Sequence, residues 1–202
     1  MSLDTRVSTK LLQRPEGISV FDTETRHLSG AEAASRIETL ARGLHHELIY
    51  KKTDSTLRGN IGAELGALAR AFPDRRIVFV PAYPALGRIV RKGELHVDGI
   101  PVHETPIGQD KLNPLRSSSI QACLGDVDAT VIDGETDADI LAAARQIVEG
   151  KSPVIVAGPA AIAGALAAQY SQVPTRLAIP SHMRCLVING SLHPASAEQM
   201  SN

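Results

Sequence analysis

Short β-branched runs alternate with longer helical stretches along this chain, and that alternation limits its fold more than any other feature. Apolar runs at residues 17–21 (GISVF), 48–50 (LIY), 77–80 (IVFV), 129–132 (ATVI) and 153–157 (PVIVA) read as strands. Between them lie helical patterns from about Ala31 to His46, from Asn60 to Phe72, from Asp137 to Val148, and from Gly158-Pro159 to about Tyr170. Ser29 is placed to cap the first helix, because a serine oxygen there accepts an orphan backbone N–H. The strands are continuously apolar, as expected for a sheet covered on both faces rather than one facing water. Strand, loop, helix, strand predicts an α/β fold: a doubly wound, mostly parallel sheet of about five strands in three layers.

Two segments depart from this grammar. Residues 89–103 read IVRKGELHVDGIPVH. Asp98-Gly99 sits between Leu95/Val97 and Ile100/Val102, a strong hairpin signal because a type I′ turn takes positive φ at both central residues. Pro101 has no N–H for a ladder, so its strand is expected at an edge. The segment reads as a hairpin excursion shaped like a flap, with His96 and His103 on opposite arms. After residue 170 comes a linker with two prolines (171–181), a strand at 184–188 (RCLVI), then Asn189-Gly190-Ser191 and a helix start near Ala195. A strand and half a helix cannot bury their own faces, so this tail reads as the beginning of a second α/β unit.

Composition removes several function classes. Among 202 residues, Lys and Arg number 21 and Asp and Glu 22, a net charge of −1. A general nucleic-acid or anionic-membrane binder would normally be basic. The aromatic fraction is 3% with no Trp, which disfavours base-stacking platforms and aromatic-girdled barrels. No apolar run approaches the roughly 20 residues of a membrane span. The start, MSLDTRVSTK, has no apolar signal core, so a cytoplasmic location is expected; Met1–Leu3 are set aside from fold reasoning. Cys123 and Cys185 match no metal or redox spacing and read as reduced thiols. His45 and His46 are adjacent on a helix and point in different directions, so no metal pair is expected there.

In parallel α/β sheets, ligands bind at the carboxyl ends of the strands. Basic residues recur at three of the five strand ends: Arg26, the Lys51-Lys52…Arg58 stretch, and Arg88. A ligand bearing a carboxylate or phosphate would account for that placement. The densest cluster is KKTDSTLRGN, residues 51–60, running from a strand end toward a helix N-terminus, where free N–H groups and the dipole favour anions. Lys52 and Arg58 add charge, and Arg can grip a carboxylate through two parallel bonds. Asp54, Ser55 and Asn60 can bond hydroxyls, so the set suits a small polyhydroxylated acid. Equally, Asp54 and Ser55 can simply cap the helix while Lys51 and Lys52 face water. Arg26 can be an ordinary surface arginine, His96 and His103 exposed hairpin residues, and Asp133 a turn residue before Gly134. No Gly-x-x-x-x-Gly-Lys-Ser/Thr string occurs, so this is not a Walker A loop.

KKTDSTLRGNIGAEL, followed by VPAYPALGRIVRKGELHVDGIPVHETPIGQD, resembles the four-carbon acid sugar kinase family, long carried as a domain of unknown function. VFDTETRHLSGAEAASRI, VIDGETDADILAAA and VAGPAAIAGALA extend the likeness over nearly the whole chain from about residue 17. INGSLHPASAEQ is similar to the opening of the family's nucleotide-binding half. The resemblance implies phosphorylation of threonate, erythronate or their 3-oxo forms, with ATP and Mg²⁺ as cofactors. It implies that the amino-terminal half binds the acid through Arg26, Lys52, Asp54, Ser55, Arg58, Gly59, Asn60 and Arg88, and that Gly190 and Ser191 belong to the nucleotide half.

Family members open with a strand and an Asp-Asp-x-Thr-Gly loop that this sequence lacks. Residues 1–180 are therefore expected to form the acid-sugar-binding domain without that first strand and acidic loop, and residues 181–202 the start of a nucleotide-binding domain. Phosphoryl transfer needs ATP, metal and acceptor positioned together. The chain alone is expected to be catalytically silent and to hold no cofactor. Its partner is expected to be a small sugar acid, not nucleic acid or membrane, and the open sheet edge left by the missing strand makes a homodimer possible. The alternative is a non-catalytic metabolite-binding module derived from such a kinase. An unrelated doubly wound domain, receiver-like or flavodoxin-like, should show an acidic pocket or flavin-phosphate loop at its first strand, and neither is evident.

Overall fold

A four-stranded, all-parallel sheet organises the molecule, in the spatial order β3 (Ile49–Lys52), β9 (Val154–Gly158), β4 (Arg76–Phe79), β8 (Ala129–Val131). The computed structural model describes residues 5–8, 18–44, 48–150 and 152–170. The central strand β9 is buried along its whole length. Phe79, Val78, Ile155 and Val156 are at most 1% exposed. Burying each such side chain is worth about 1.5–3 kcal/mol, which is why these runs are continuous rather than alternating.

The chain steps from β3 over β9 to β4 through α2 (Ile61–Ala71), and returns from β8 over β4 to β9 through α4 (Asp137–Glu149). Parallel crossovers are right-handed almost without exception, so two that run in opposite directions put their helices on opposite faces. Accordingly α1 (Gly30–Ala41) packs on α2, while α5 (Ala160–Tyr170) packs on α4. This is the three-layer α/β arrangement predicted from the sequence. Ser29 caps α1 as expected, in a reciprocal box with Glu32: Glu32 N–H donates to Ser29 Oγ (3.3 Å) and Ser29 N–H to Glu32 Oε2 (3.0 Å). Thr136 and Asp139 repeat the device at α4.

Several expectations are corrected. The GISVF strand, β2 (Ile18–Phe21), is not buried: Ile18 and Val20 are 41% and 42% exposed. It pairs in parallel with β1 (Thr5–Ser8), in a two-stranded sheet separate from the main one. The main sheet therefore has four strands rather than about five among the described residues. The α1 helix ends at Ala41, five residues short of the expected end. His45 and His46 lie outside the described residues, as do Cys185 and the expected linker, strand and helix start after residue 170.

The predicted hairpin is a three-stranded antiparallel sheet: β5 (Arg88–Arg91), β6 (Glu94–Val97) and β7 (Ile100–Pro101). Asp98 and Gly99 take the expected positive φ, 51° and 83°, and Pro101 lies in the edge strand. Lys92-Gly93, a second turn with positive φ at both residues, joins β5 to β6. The segment is not a free flap. Val90, Leu95, Val97 and Val102 join the main core, and Val90 and Gly134 exchange backbone hydrogen bonds of 2.9 and 3.1 Å. His103 lies beyond the hairpin arm, in a 3₁₀ turn over Val102–Glu104, and its Nδ1 is 2.7 Å from Ser118 Oγ. The short helix α3 (Ile120–Leu124) was not anticipated.

Candidate functional site

Because the main strands are parallel, their carboxyl ends share one rim. Thr53 N–H donates to Gly158 O and Val80 N–H to Ala157 O, each at 2.9 Å, so the loops after β3, β9 and β4 leave side by side. The loop after β3 carries the KKTDSTLRGN cluster, and α2 starts only at Ile61, with Asn60 as its N-cap. Asp54 and Ser55 therefore do not cap the helix. Asp54 folds the loop instead, accepting from Thr56 N–H (3.2 Å), from the Thr56 hydroxyl, and from Arg58 N–H (3.4 Å).

Asp54 is also where two arginines meet. Arg26, from the loop after β2, forms an ion pair with Oδ1. Arg58 Nε donates to Oδ2 at 3.1 Å and to Thr56 Oγ1 at 3.0 Å. Burial pushes the Asp54 carboxyl upward, but the Thr56 hydroxyl, Arg58 and Arg26 outweigh it and hold it below the ordinary aspartate value. On its other side, Arg58 Nη1 reaches Asp110 Oδ2 at 3.2 Å, on the loop after the 3₁₀ turn. Two arginines and two aspartates leave this cluster formally neutral.

Asn60 explains how the β2 loop comes to lie here. Its side chain makes no cap bond to α2; Nδ2 donates to Thr25 O (2.9 Å) and Leu28 O (2.8 Å). Gly59, at φ +95°, lies against Arg26, so a Cβ there would stand 3.7 Å from Arg26 Cγ. Below them is a charged group that sequence reading missed. Lys51 does not face water: its Nζ is 2.7 Å from Glu64 Oε2 on α2, with side-chain exposures of 16% and 7%. Glu64 Oε1 accepts from the hydroxyl of buried Thr25, the neighbour of Arg26. The sequence signal for Glu64 was its position: it falls on the buried helix face with Ile61, Leu65 and Leu68. Asp110 carried no comparable signal.

The sequence-predicted residues Arg26, Asp54, Arg58, Gly59 and Asn60 thus converge. Ser55 stands in the same loop, half-buried, with no hydrogen-bond partner among the described residues. Lys52 is the last residue of β3, and its Nζ donates to Thr53 O at 2.7 Å. Arg88 is not joined to this cluster by any hydrogen bond or ion pair among the described residues. It folds over its own turn, donating from Nη1 to Leu86 O, with its buried Nε unpartnered. The β4 end that carries its loop is separated from the β3 end by β9, about 10 Å at ordinary strand spacing. Gly190 and Ser191 lie outside the described residues.

Among the described residues, no group of three or more His, Cys, Asp or Glu side chains is arranged to hold a metal ion. No helix there is long and apolar enough to cross a membrane. The arrangement can accept a small polar anion: Lys52, the remaining guanidinium N–H groups and the Ser55 hydroxyl are offered at a strand end, on a scaffold fixed by Asp54 and Asn60.

The family described as a sugar-binding N-terminal domain matches residues 2–130. A D-threonate kinase of Bordetella bronchiseptica is 39% identical over 148 residues, covering 71% of this chain and 35% of the relative. A D-threonate kinase of Salmonella typhimurium is 29% identical over 236 residues, covering 98% of this chain and 54% of the relative. A 3-oxo-tetronate kinase of Methylobacterium radiotolerans is 36% identical over 87 residues, 42% of this chain and 20% of the relative. The chain thus spans at most about half the length of these curated relatives. Among solved structures, a Bordetella bronchiseptica domain of unknown function, a domain-swapped dimer with bound citrate, is 30% identical with a TM-score of 0.74, covering 82% of this chain and 50% of that chain.

Proposed function

The chain belongs to the family of sugar-binding N-terminal domains, and on that premise we propose that it is the acid-binding half of an ATP-dependent kinase for a four-carbon sugar acid of the threonate, erythronate or 3-oxo-tetronate type. The observation that carries this reading is the convergence of Arg26, Asp54, Arg58 and Asn60 at one strand end, in a chain whose relatives are named for such acids. The acid's carboxylate is received by Lys52 and the unpaired N–H groups of Arg26 and Arg58, and its hydroxyls by Ser55 and Asp54. Citrate on the Bordetella neighbour supports a carboxylate ligand. ATP supplies the phosphoryl group in the full kinase. Among the described residues no group of three or more His, Cys, Asp or Glu side chains is gathered to hold a metal ion, and Mg²⁺ would be held largely by the nucleotide's phosphates. Alone, the chain binds acid and does not turn over.

A ligand that binds only the folded state raises the melting temperature by mass action. Thermal shift against threonate, erythronate, their 3-oxo forms and acetate, repeated with Arg58→Ala, tests the reading. A shift with a four-carbon acid, absent with acetate and lost in the variant, is expected. No shift with any acid contradicts it. A shift by this chain together with no kinase activity when it is fused to a nucleotide half points to the metabolite-binding module instead.

A further inference from the structure

We propose that Asp110 is a positioning residue that aims Arg58 at the bound acid by tying the loop of residues 105–118 to the site; this rests on the acid-binding reading above. Arg58 is held from two directions by two different loops. Nε is taken by Asp54 and Thr56, and one N–H of Nη1 by Asp110. Two carboxylates fix both the plane and the rotation of the guanidinium, whereas one alone leaves it free to swing. The three remaining N–H groups have no protein partner among the described residues and are open to a ligand, the side chain being 26% exposed.

Asp110 is itself built in. Its Oδ1 accepts from Leu112 N–H (2.9 Å) and Asn113 N–H (3.0 Å), leaving Oδ2 for Arg58. The loop behind it is pinned at several points. The buried Thr105 hydroxyl donates to Val102 O (2.7 Å), and Leu115 N–H to Gly108 O (2.8 Å). Gly108 packs so closely that a Cβ would stand 2.4 Å from Val102 O. Such an anchored turn can serve as a fixed reference for a guanidinium. The two aspartates offset the charge of the two arginines and leave the attraction for an anion to Lys52, so discrimination among anions depends on aimed N–H groups and hydroxyl contacts.

The test is calorimetric titration of the full chain with threonate and erythronate, in wild type, Asp110→Asn, Arg58→Lys and the double variant, alongside the NMR signal of the Arg58 Nε–H. Loss of one partly exposed charged partner should weaken acid binding about five-fold. The same substitution should have little effect in the Arg58→Lys background, where no fork remains to aim. The Nε–H signal should shift and exchange faster with water in Asp110→Asn while the melting temperature changes little. Equal losses in both backgrounds, or an unchanged Nε–H signal, overturn the proposal. If wild type binds neither acid but the Nε–H signal still responds to Asp110→Asn, the device stands and the sugar-acid reading falls.

Discussion

Replacing Glu64 should damage this protein more than a helix glutamate normally would. In Glu64→Leu the Lys51 ammonium keeps its place at 16% exposure and loses the carboxylate 2.7 Å away. Breaking a buried ion pair from one side costs about 3–5 kcal/mol, because the partner charge is left uncompensated. Two features reduce that cost here. Lys51 Nζ retains the Lys52 carbonyl at 3.3 Å, and the Thr25 hydroxyl retains Thr23 Oγ1 at 3.0 Å. The net loss should be about 2–3 kcal/mol. At about 2–4 °C per kcal/mol for a chain of this size, the melting temperature should fall by about 4–12 °C. Urea unfolding followed by circular dichroism measures the free-energy loss, and a thermal scan by the same signal the shift in melting temperature. Lys51→Met combined with Glu64→Leu removes both charges and should recover most of the loss, leaving stability within about 1 kcal/mol of wild type. A single variant that loses less than about 1 kcal/mol, or a double variant as unstable as the single, would refute the claim that this pair is a desolvated, mutually dependent unit.

Three further outcomes are expected. Asp54 titrates below its unfolded value in the native state, so its contribution to stability is complete above the unfolded pKa and lost as pH falls through the folded one; urea midpoints should be flat from about pH 7 to 5 and fall below about pH 4, and Asp54→Asn should flatten part of that fall. A methyl group at Gly158 would stand 2.5 Å from Val80 O and 2.4 Å from Ile162 Cγ2, so Gly158→Ala should cost about 1–3 kcal/mol by forcing β9 from β4, readable in the same unfolding assay. Burial pushes the Cys123 thiol up to about 11; peptide mapping after iodoacetamide at pH 8 should find Cys123 unmodified in native protein and modified in urea.

Much of the fold was legible because its signals are local. Ser29 with Glu32 three residues on, Asp98-Gly99 between apolar pairs, and the IVFV and PVIVA runs each announce their structure within a few residues. The two-stranded pair was not legible, since GISVF looks like a core strand and only its partner, Thr5–Ser8, decides which sheet it joins. Helix α3 has five residues, too few for a periodic pattern. The same division runs through the site. Residues 51–60 identify themselves by type, but what Arg58 and Lys51 touch is set by Asp110 and Glu64, 52 and 13 positions away. Those pairings depend on packing, which spacing does not encode. Arg88 has the right chemistry on the right rim, yet its side chain turns back over its own loop.

The most direct test of the central claim is a backbone ¹H–¹⁵N NMR titration of this chain with threonate and erythronate. Saturable shifts at residues 25–26 and 52–60, with smaller ones near Asp110, are expected for one of these acids and not for acetate. Shifts confined elsewhere, such as the groove of about 830 Å³ between the loop after β2 and α1, lined by Phe21, Leu28, Arg36 and Leu40, would contradict it.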